Sequence, residues 1–133
     1  MAGVEGRVAL VTGAGRGIGR ETARLLASRG ARVMAVARSE KELLETGFDY
    51  IAADLGTVKG CVEVVEQTRT RLGPVEIFIC NHGLGSAHER VIWEQDEATW
   101  DETMRITLDG PFHLSRLILK DMVELRYGRV VYT

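Results

Sequence analysis

Thr12-Gly13-Ala14-Gly15-Arg16-Gly17-Ile18-Gly19 follows directly on a continuous apolar run, Val8-Ala9-Leu10-Val11, and a helical pattern begins where it ends. A chain that leaves a strand and enters a helix in so few residues needs backbone conformations with positive φ, which glycine adopts at little cost. Bare backbone also lets an anion come close, and the free N–H groups and dipole at the helix start attract it. The spacing is informative. A GxGxxG pattern counted from Gly13 fails at Ile18, and counted from Gly15 it fails at Arg20. A phosphate loop ending in Gly-Lys-Ser/Thr fails too. The pattern that fits is TGxxxGxG, on Thr12, Gly13, Gly17 and Gly19. A tight turn without a ligand is the competing reading, and the strand–turn–helix setting argues against it.

Further apolar runs follow at Val33 to Ala37, Tyr50 to Ala53, Val75 to Cys80 and Val130 to Tyr132. Continuous runs of this kind suit strands covered on both faces, as in a parallel sheet. Between them lie helical patterns. Ile18, Thr22, Leu25 and Leu26 mark one helix face, with Gly30 placed to stop it. Val58, Cys61, Val62, Val65 and Leu72 mark a second. Ser39 to Thr46 suggests only a short helix. A long helix is expected from about Thr99 to Arg126, bent at Gly110-Pro111 and ended by Gly128. The stretch from Leu84 to Asp96 reads as a loop. Alternating strands and helices of this kind build a parallel sheet with right-handed crossovers.

Composition narrows the partners. Of the 133 residues, 45% are apolar and 27% charged, and the net charge of −2 comes from interspersed signs. That is ordinary globular composition in one domain, residues 1–133, with no basic patch to favour nucleic acid. No apolar run reaches the roughly 18 residues of a membrane span. The first residues lack the apolar core of a signal peptide, so a cytoplasmic setting is expected. Cys61 and Cys80 sit among apolar residues and read as small buried hydrophobes. His88, Glu89 and His113 show no metal-ligand spacing, and no metal is expected. Asp96, Glu97, Asp101 and Glu102 gather at a helix start, where capping explains them.

Three segments in order resemble the short-chain dehydrogenase/reductase family. They are the octet Thr12 to Gly19, with Gly15, Arg16 and Ile18 inside it, then Asp54-Leu55 after the third strand, and Asn81-His82-Gly83 after the fourth. The resemblance covers nearly the whole chain. It implies a doubly wound parallel α/β sheet, the Rossmann arrangement, in the order 3-2-1-4-5 as far as these residues reach. It also implies a nicotinamide dinucleotide across the carboxyl ends of the strands, with Asp54 and Leu55 at the adenine and Asn81, His82 and Gly83 beneath the cofactor. Overall likeness leans to the 3-oxoacyl carrier-protein reductases, although a ketone or a polyol also suits the family.

The end of the second strand bears on the choice of dinucleotide. Sites that prefer NAD place an acid there for the ribose 2′-hydroxyl. Here the segment reads Ala37-Arg38-Ser39. A guanidinium pairs in two-pronged fashion with a 2′-phosphate, and Arg16 in the turn adds a second positive charge. NADP(H) is therefore the expected cofactor; two solvated surface arginines is the alternative.

The resemblance further implies a catalytic Tyr-x-x-x-Lys pair and a Ser, but the sequence holds no such pair. Tyr50 is followed at that distance by Asp54, and Tyr127 by Val131. The expectation is that these residues are an N-terminal portion that stops at Thr133, before these groups, and is inactive alone. The family's helix Asn corresponds to Thr107, whose hydroxyl could still bridge a water. Phe112, Leu114, Leu117, Ile118, Leu119, Met122 and Leu125 make the long helix apolar on more than one face. A homo-oligomer through that helix, and a Val-rich edge at the fifth strand that invites pairing, are expected. Two other readings stay open: a nucleotide-binding module without catalysis, and a structural remnant.

Overall fold

The structure is a computed structural model that describes residues 3–84 and 90–133. Five strands, β1 (Val8–Thr12), β2 (Arg32–Ala37), β3 (Asp49–Ala52), β4 (Ile77–Cys80) and β5 (Arg129–Tyr132), pair in parallel in the order β3-β2-β1-β4-β5. The helices are α1 (Gly17–Ser28), α2 (Glu40–Leu44), α3 (Val58–Arg71), α4 (Glu97–Met104) and α5 (Gly110–Leu125). The chain steps outward from β1 to β3, then returns to lay β4 on the other side of β1. The reversal opens a crevice at the carboxyl ends of β1 and β4, where such sheets bind ligands.

Alternation along the strands divides the core into two layers. Leu10, Met34, Val36 and Phe78 face one side with Cys61, Val64, Val65, Leu114 and Ile118 from α3 and α5. Ala9, Val11, Val33 and Ala35 face the other side, with Ala14, Ala23 and Leu43. In register, Leu10 lies beside Met34 and Phe78, all fully buried. Burying each such side chain is worth about 1.5–3 kcal/mol. Arg69 ties the two helices of the first layer together, pairing with Asp121 at 2.7 Å and donating to the Leu117 carbonyl at 3.1 Å.

Two helix faces differ from the expectation. On α1 the buried residues are Gly19 and Ala23, whereas Ile18 is 74% and Leu25 52% exposed. The sheet beneath is lined by Ala9, Val11 and Ala35, so the helix nests on small side chains rather than on its largest ones. On α3 the buried set is Gly60, Cys61, Val64, Val65 and Thr68, with Val58 and Val62 outside it. Thr68 is buried because its hydroxyl donates to the Val64 carbonyl at 2.7 Å.

The long helix is three pieces. Asp96 caps α4, accepting from the Thr99 N–H at 2.7 Å, and that bond holds its carboxyl below the usual value. Residues Arg105–Asp109 form a π turn, in which Gly110 N–H donates to the Arg105 carbonyl. Pro111 then enters the first turn of α5. The interruption expected at Gly110-Pro111 thus takes the form of a wider turn just before it. Gly128 does not end α5; Arg126 does, in the left-handed region at φ 54°. Gly128 instead leaves room for Met122. Gly30, at φ 86°, stops α1 as expected. Ile92–Glu94 form a short 3-10 turn within the expected loop; His88 and Glu89 lie outside the described residues.

Candidate functional site

The turn after β1 opens on a cleft of about 600 Å³ at the carboxyl edge of the sheet. Of the residues that sequence reasoning named for a dinucleotide, all but Thr12 and Gly19 line it. Those two work from below. Gly19 faces the Gly13 carbonyl so closely that any Cβ would overlap it. Gly13, at φ 62°, presses on the Asn81 backbone, where a Cβ would stand 2.8 Å from the carbonyl oxygen. Gly17, at φ 57°, has open space where a side chain would be.

The start of α1 has a feature that suits an anion. Ser39 caps α2, Thr57 caps α3 and Asp96 caps α4, each through a side-chain oxygen. The residue before α1 is Arg16, which makes no such bond, and no acid lies in the first turn. The leading N–H groups therefore meet the cleft with their dipole uncompensated by a side chain.

Beside that turn stand Arg16, Ala37, Arg38 and Ser39. Among the described residues, neither guanidinium has an ion-pair partner. Ala37 offers no polar group at the end of β2. One further residue reaches this corner, Glu42 of α2, which sequence reasoning missed. The spacing Ser39-x-x-Glu42 was the available signal, since it fixes Glu42 on the first turn after β2.

Across the cleft, Asp54 accepts from the Gly56 N–H at 2.9 Å and pairs with Arg105 at 3.4 Å. Asp54 thus joins the end of β3 to the π turn. Leu55 is 5% exposed and supplies apolar wall. Ala53, Leu84 and Ile106 complete that side, and nothing local in the sequence marks them.

The floor is Asn81-His82-Gly83. The Thr12 hydroxyl accepts from the Asn81 and His82 N–H groups at 3.0 and 3.2 Å. The hydroxyl's own proton then has two acceptors in reach, His82 Nδ1 at 2.8 Å and the Ile79 carbonyl at 3.4 Å. A ring that accepts from Thr12 is neutral and carries its own proton on Nε2. Among the described residues Nε2 has no hydrogen-bond partner; it is buried close to Gly110. Burial holds the His82 pKa below its ordinary value, against a smaller opposing pull from the Ile106 carbonyl. Pro111 has no N–H to offer that carbonyl in the π register. Burial likewise raises the Cys61 and Cys80 thiols to about 11, so both stay protonated.

Thr107 lies elsewhere. It lines a second, smaller cleft with Cys80, Leu108, Pro111, Phe112, Ser115, Tyr132 and Thr133, and His82 stands in the wall of both. The Thr107 hydroxyl accepts from the Leu84 N–H at 3.3 Å. The Ser115 and Tyr132 hydroxyls are 2.7 Å apart. The Asn81 side chain links the two ends of the site, its amide to the Gly13 carbonyl and its oxygen to the Thr133 hydroxyl.

Among known proteins, the family described as short chain dehydrogenase matches residues 7–133. The 3-oxoacyl-[acyl-carrier-protein] reductase of Escherichia coli (strain K12) is 33% identical over 134 residues, covering 96% of this chain and 54% of that protein. The chain spans about half the length of the curated relatives it matches. The L-sorbose reductase of Gluconobacter frateurii, solved with NADPH and L-sorbose, superposes with a TM-score of 0.90 at 28% identity, over 98% of this chain and 52% of its own. A metagenomic short-chain oxidoreductase in complex with NADP gives 0.89 at 28% identity, over 97% and 62%.

Proposed function

The chain belongs to the short chain dehydrogenase family, and on that premise we propose that its residues form the dinucleotide-binding part of an NADP(H)-dependent oxidoreductase. The observation that carries this is the uncapped start of α1, facing a cleft beside two guanidiniums that have no ion-pair partner among the described residues. The leading N–H groups of α1 hold the diphosphate, with Gly13, Gly15 and Gly17 giving bare backbone. Arg38 and Arg16 hold the 2′-phosphate, Ser39 adds a hydroxyl, and Asp54 and Leu55 meet the adenine. Asn81, His82 and Gly83 form the floor. A bound nicotinamide supplies hydride exchange with a carbonyl or alcohol carbon.

These 133 residues hold no Tyr-x-x-x-Lys pair. Their part in the reaction is therefore to bind and orient, with Thr107 placed to hold a water by its hydroxyl. Alone they bind the dinucleotide and reduce no carbonyl. A non-catalytic nucleotide-binding module is the second reading. The substrate is a small carbonyl compound, and the reductase relatives support a 3-oxoacyl thioester. A cytoplasmic setting suits the reading, and among the described residues no helix is long and apolar enough to cross a membrane.

A second copy of the chain is the proposed partner, through the helical region from Thr99 to Arg126. Leu108, Phe112, Leu119 and Val123 are 56%, 56%, 40% and 77% exposed and recur at helical spacing. Light scattering should find an oligomer, and Val123→Glu should loosen it; a monodisperse parent monomer counts against this. For the cofactor, calorimetry should find NADPH binding to folded protein, and Arg38→Asp should move preference toward NADH. A folded sample that gives no heat with NADPH overturns the assignment.

A further inference from the structure

The ribose corner of the cleft contains a carboxylate as well as two guanidiniums. We propose that Glu42 sets the margin between the two dinucleotides, opposing the 2′-phosphate of NADP(H) and accepting from the free 2′-hydroxyl of NAD(H). The inference rests on the dinucleotide reading of this cleft and goes beyond it.

Gly15 lines the cleft at this corner. Its φ is not positive, unlike those of Gly13 and Gly17, so no backbone conformation demands glycine there. Space demands it. A Cβ at Gly15 would stand 2.7 Å from Glu42 Oε2, 3.1 Å from Glu42 Cβ and 3.3 Å from Ala37 Cβ. Glu42 therefore lies across the bare backbone of the turn, with its carboxylate at the cleft wall. Ser39 caps α2 by accepting from the Glu42 N–H at 3.4 Å. In a Ser-x-x-Glu cap the glutamate commonly turns back to the cap's own N–H. No such bond is among those found here; the carboxylate is over Gly15 instead. Nor does it pair with Arg16 or Arg38 among the described residues.

The chemistry follows from charge and hydrogen-bond type. An ionised carboxylate only accepts. It can accept a hydrogen bond from a free ribose hydroxyl, the role an acid at the end of a second strand plays in NAD sites. Here Ala37 holds that position, and the acid comes from the next helix. Toward a 2′-phosphate the same group is a like charge, weakening what Arg38 and Arg16 contribute. The corner is thus built to favour the phosphate by two cations against one anion, which is a narrower margin than the two arginines alone would set.

The test uses fragments that differ only at this corner, adenosine 2′,5′-bisphosphate and AMP, titrated by calorimetry into the full chain and into Glu42→Gln and Glu42→Ala. Removing one partly exposed like charge should tighten the bisphosphate by about fivefold in both variants, less at high salt. AMP should be unchanged in Glu42→Gln, where an amide oxygen still accepts, and weaker in Glu42→Ala. If the bisphosphate changes by less than about twofold, within the scatter of exposed ion pairs, or if both ligands shift by the same factor, the proposal fails while the dinucleotide reading stands. If the parent chain binds neither fragment, the reading itself fails and the proposal with it.

Discussion

α1 and α3 rise from the same edge of the sheet, and each carries a glycine as its third residue. A Cβ on Gly19 would overlap the Gly13 carbonyl oxygen, and a Cβ on Gly60 would overlap that of Asp54. Both helices are seated by backbone-to-backbone contact on the turn that precedes them. They part at the cap. Thr57 accepts from the Gly60 N–H at 3.0 Å and closes the end of α3 with a side chain of the chain itself. Arg16 leaves the end of α1 open toward the cleft. Identical seating with opposite finishing separates what holds a helix in place from what leaves it able to bind. A ligand at α1 would do what Thr57 does at α3.

The largest effect should come from breaking the seating at both ends. Gly19→Ala and Gly60→Ala each force a backbone shift and should each cost about 1–3 kcal/mol by chemical denaturation. Their effects on NADPH should diverge. Gly19→Ala moves the diphosphate grip and should abolish the calorimetric signal. Gly60→Ala disturbs only Asp54 at the far wall and should weaken binding modestly. Equal losses of affinity would mean that α1 has no special part in binding.

Exchanging the caps sharpens the comparison. Thr57→Ala should cost about 1 kcal/mol of stability and leave NADPH affinity unchanged. Arg16→Asp gives α1 a side-chain acceptor and an acid at its dipole, which should stabilise the ligand-free protein by about 0.5–1 kcal/mol. It should also weaken NADPH, since a negative group then occupies the place of the anion. A variant that gained stability and kept its affinity would separate the open helix end from function.

The two helix ends were unequally legible. The α1 turn announces itself, because an apolar run, TGxxxGxG and a helix pattern stand in immediate succession and each constrains the next. The strand order was implied by the family resemblance that the three motifs carry, whereas alternation of strands and helices gave only a parallel sheet. What failed were inferences that rank side chains by hydrophobicity. Ile18 and Leu25 are apolar and point outward, whereas Gly19 and Ala23 make the contact, because close nesting selects for small residues over greasy ones. Val58 and Val62 misled in the same way on α3. Glu42 escaped notice because its position depends on the emptiness of Gly15, a pair that only packing brings together. The π turn at 105–109 left no signature apart from Pro111, and the left-handed Arg126 had none.

The smallest predicted effect concerns what lies under the α1 end and has no counterpart under α3. Thr12, at the base of the first turn, sets its hydroxyl 2.8 Å from the buried ring nitrogen Nδ1 of His82. At the other end Asp54 takes the Gly56 N–H. Burial keeps the folded-state pKa of His82 below the ordinary 6.5. The unfolded chain therefore takes up a proton that the native protein resists, and stability falls as pH drops through 6.5 and on toward the folded value. Above 6.5 the group contributes no slope. His82→Ala should flatten the stability curve on the acid side. A protonated ring can no longer accept from Thr12, so the loss should also be local. Amide exchange, corrected for intrinsic rates, should quicken on acidification at residues 13–17 more than at residues 55–60. Equal quickening at both ends would show that the acid response is global and that His82 does not underpin the α1 turn.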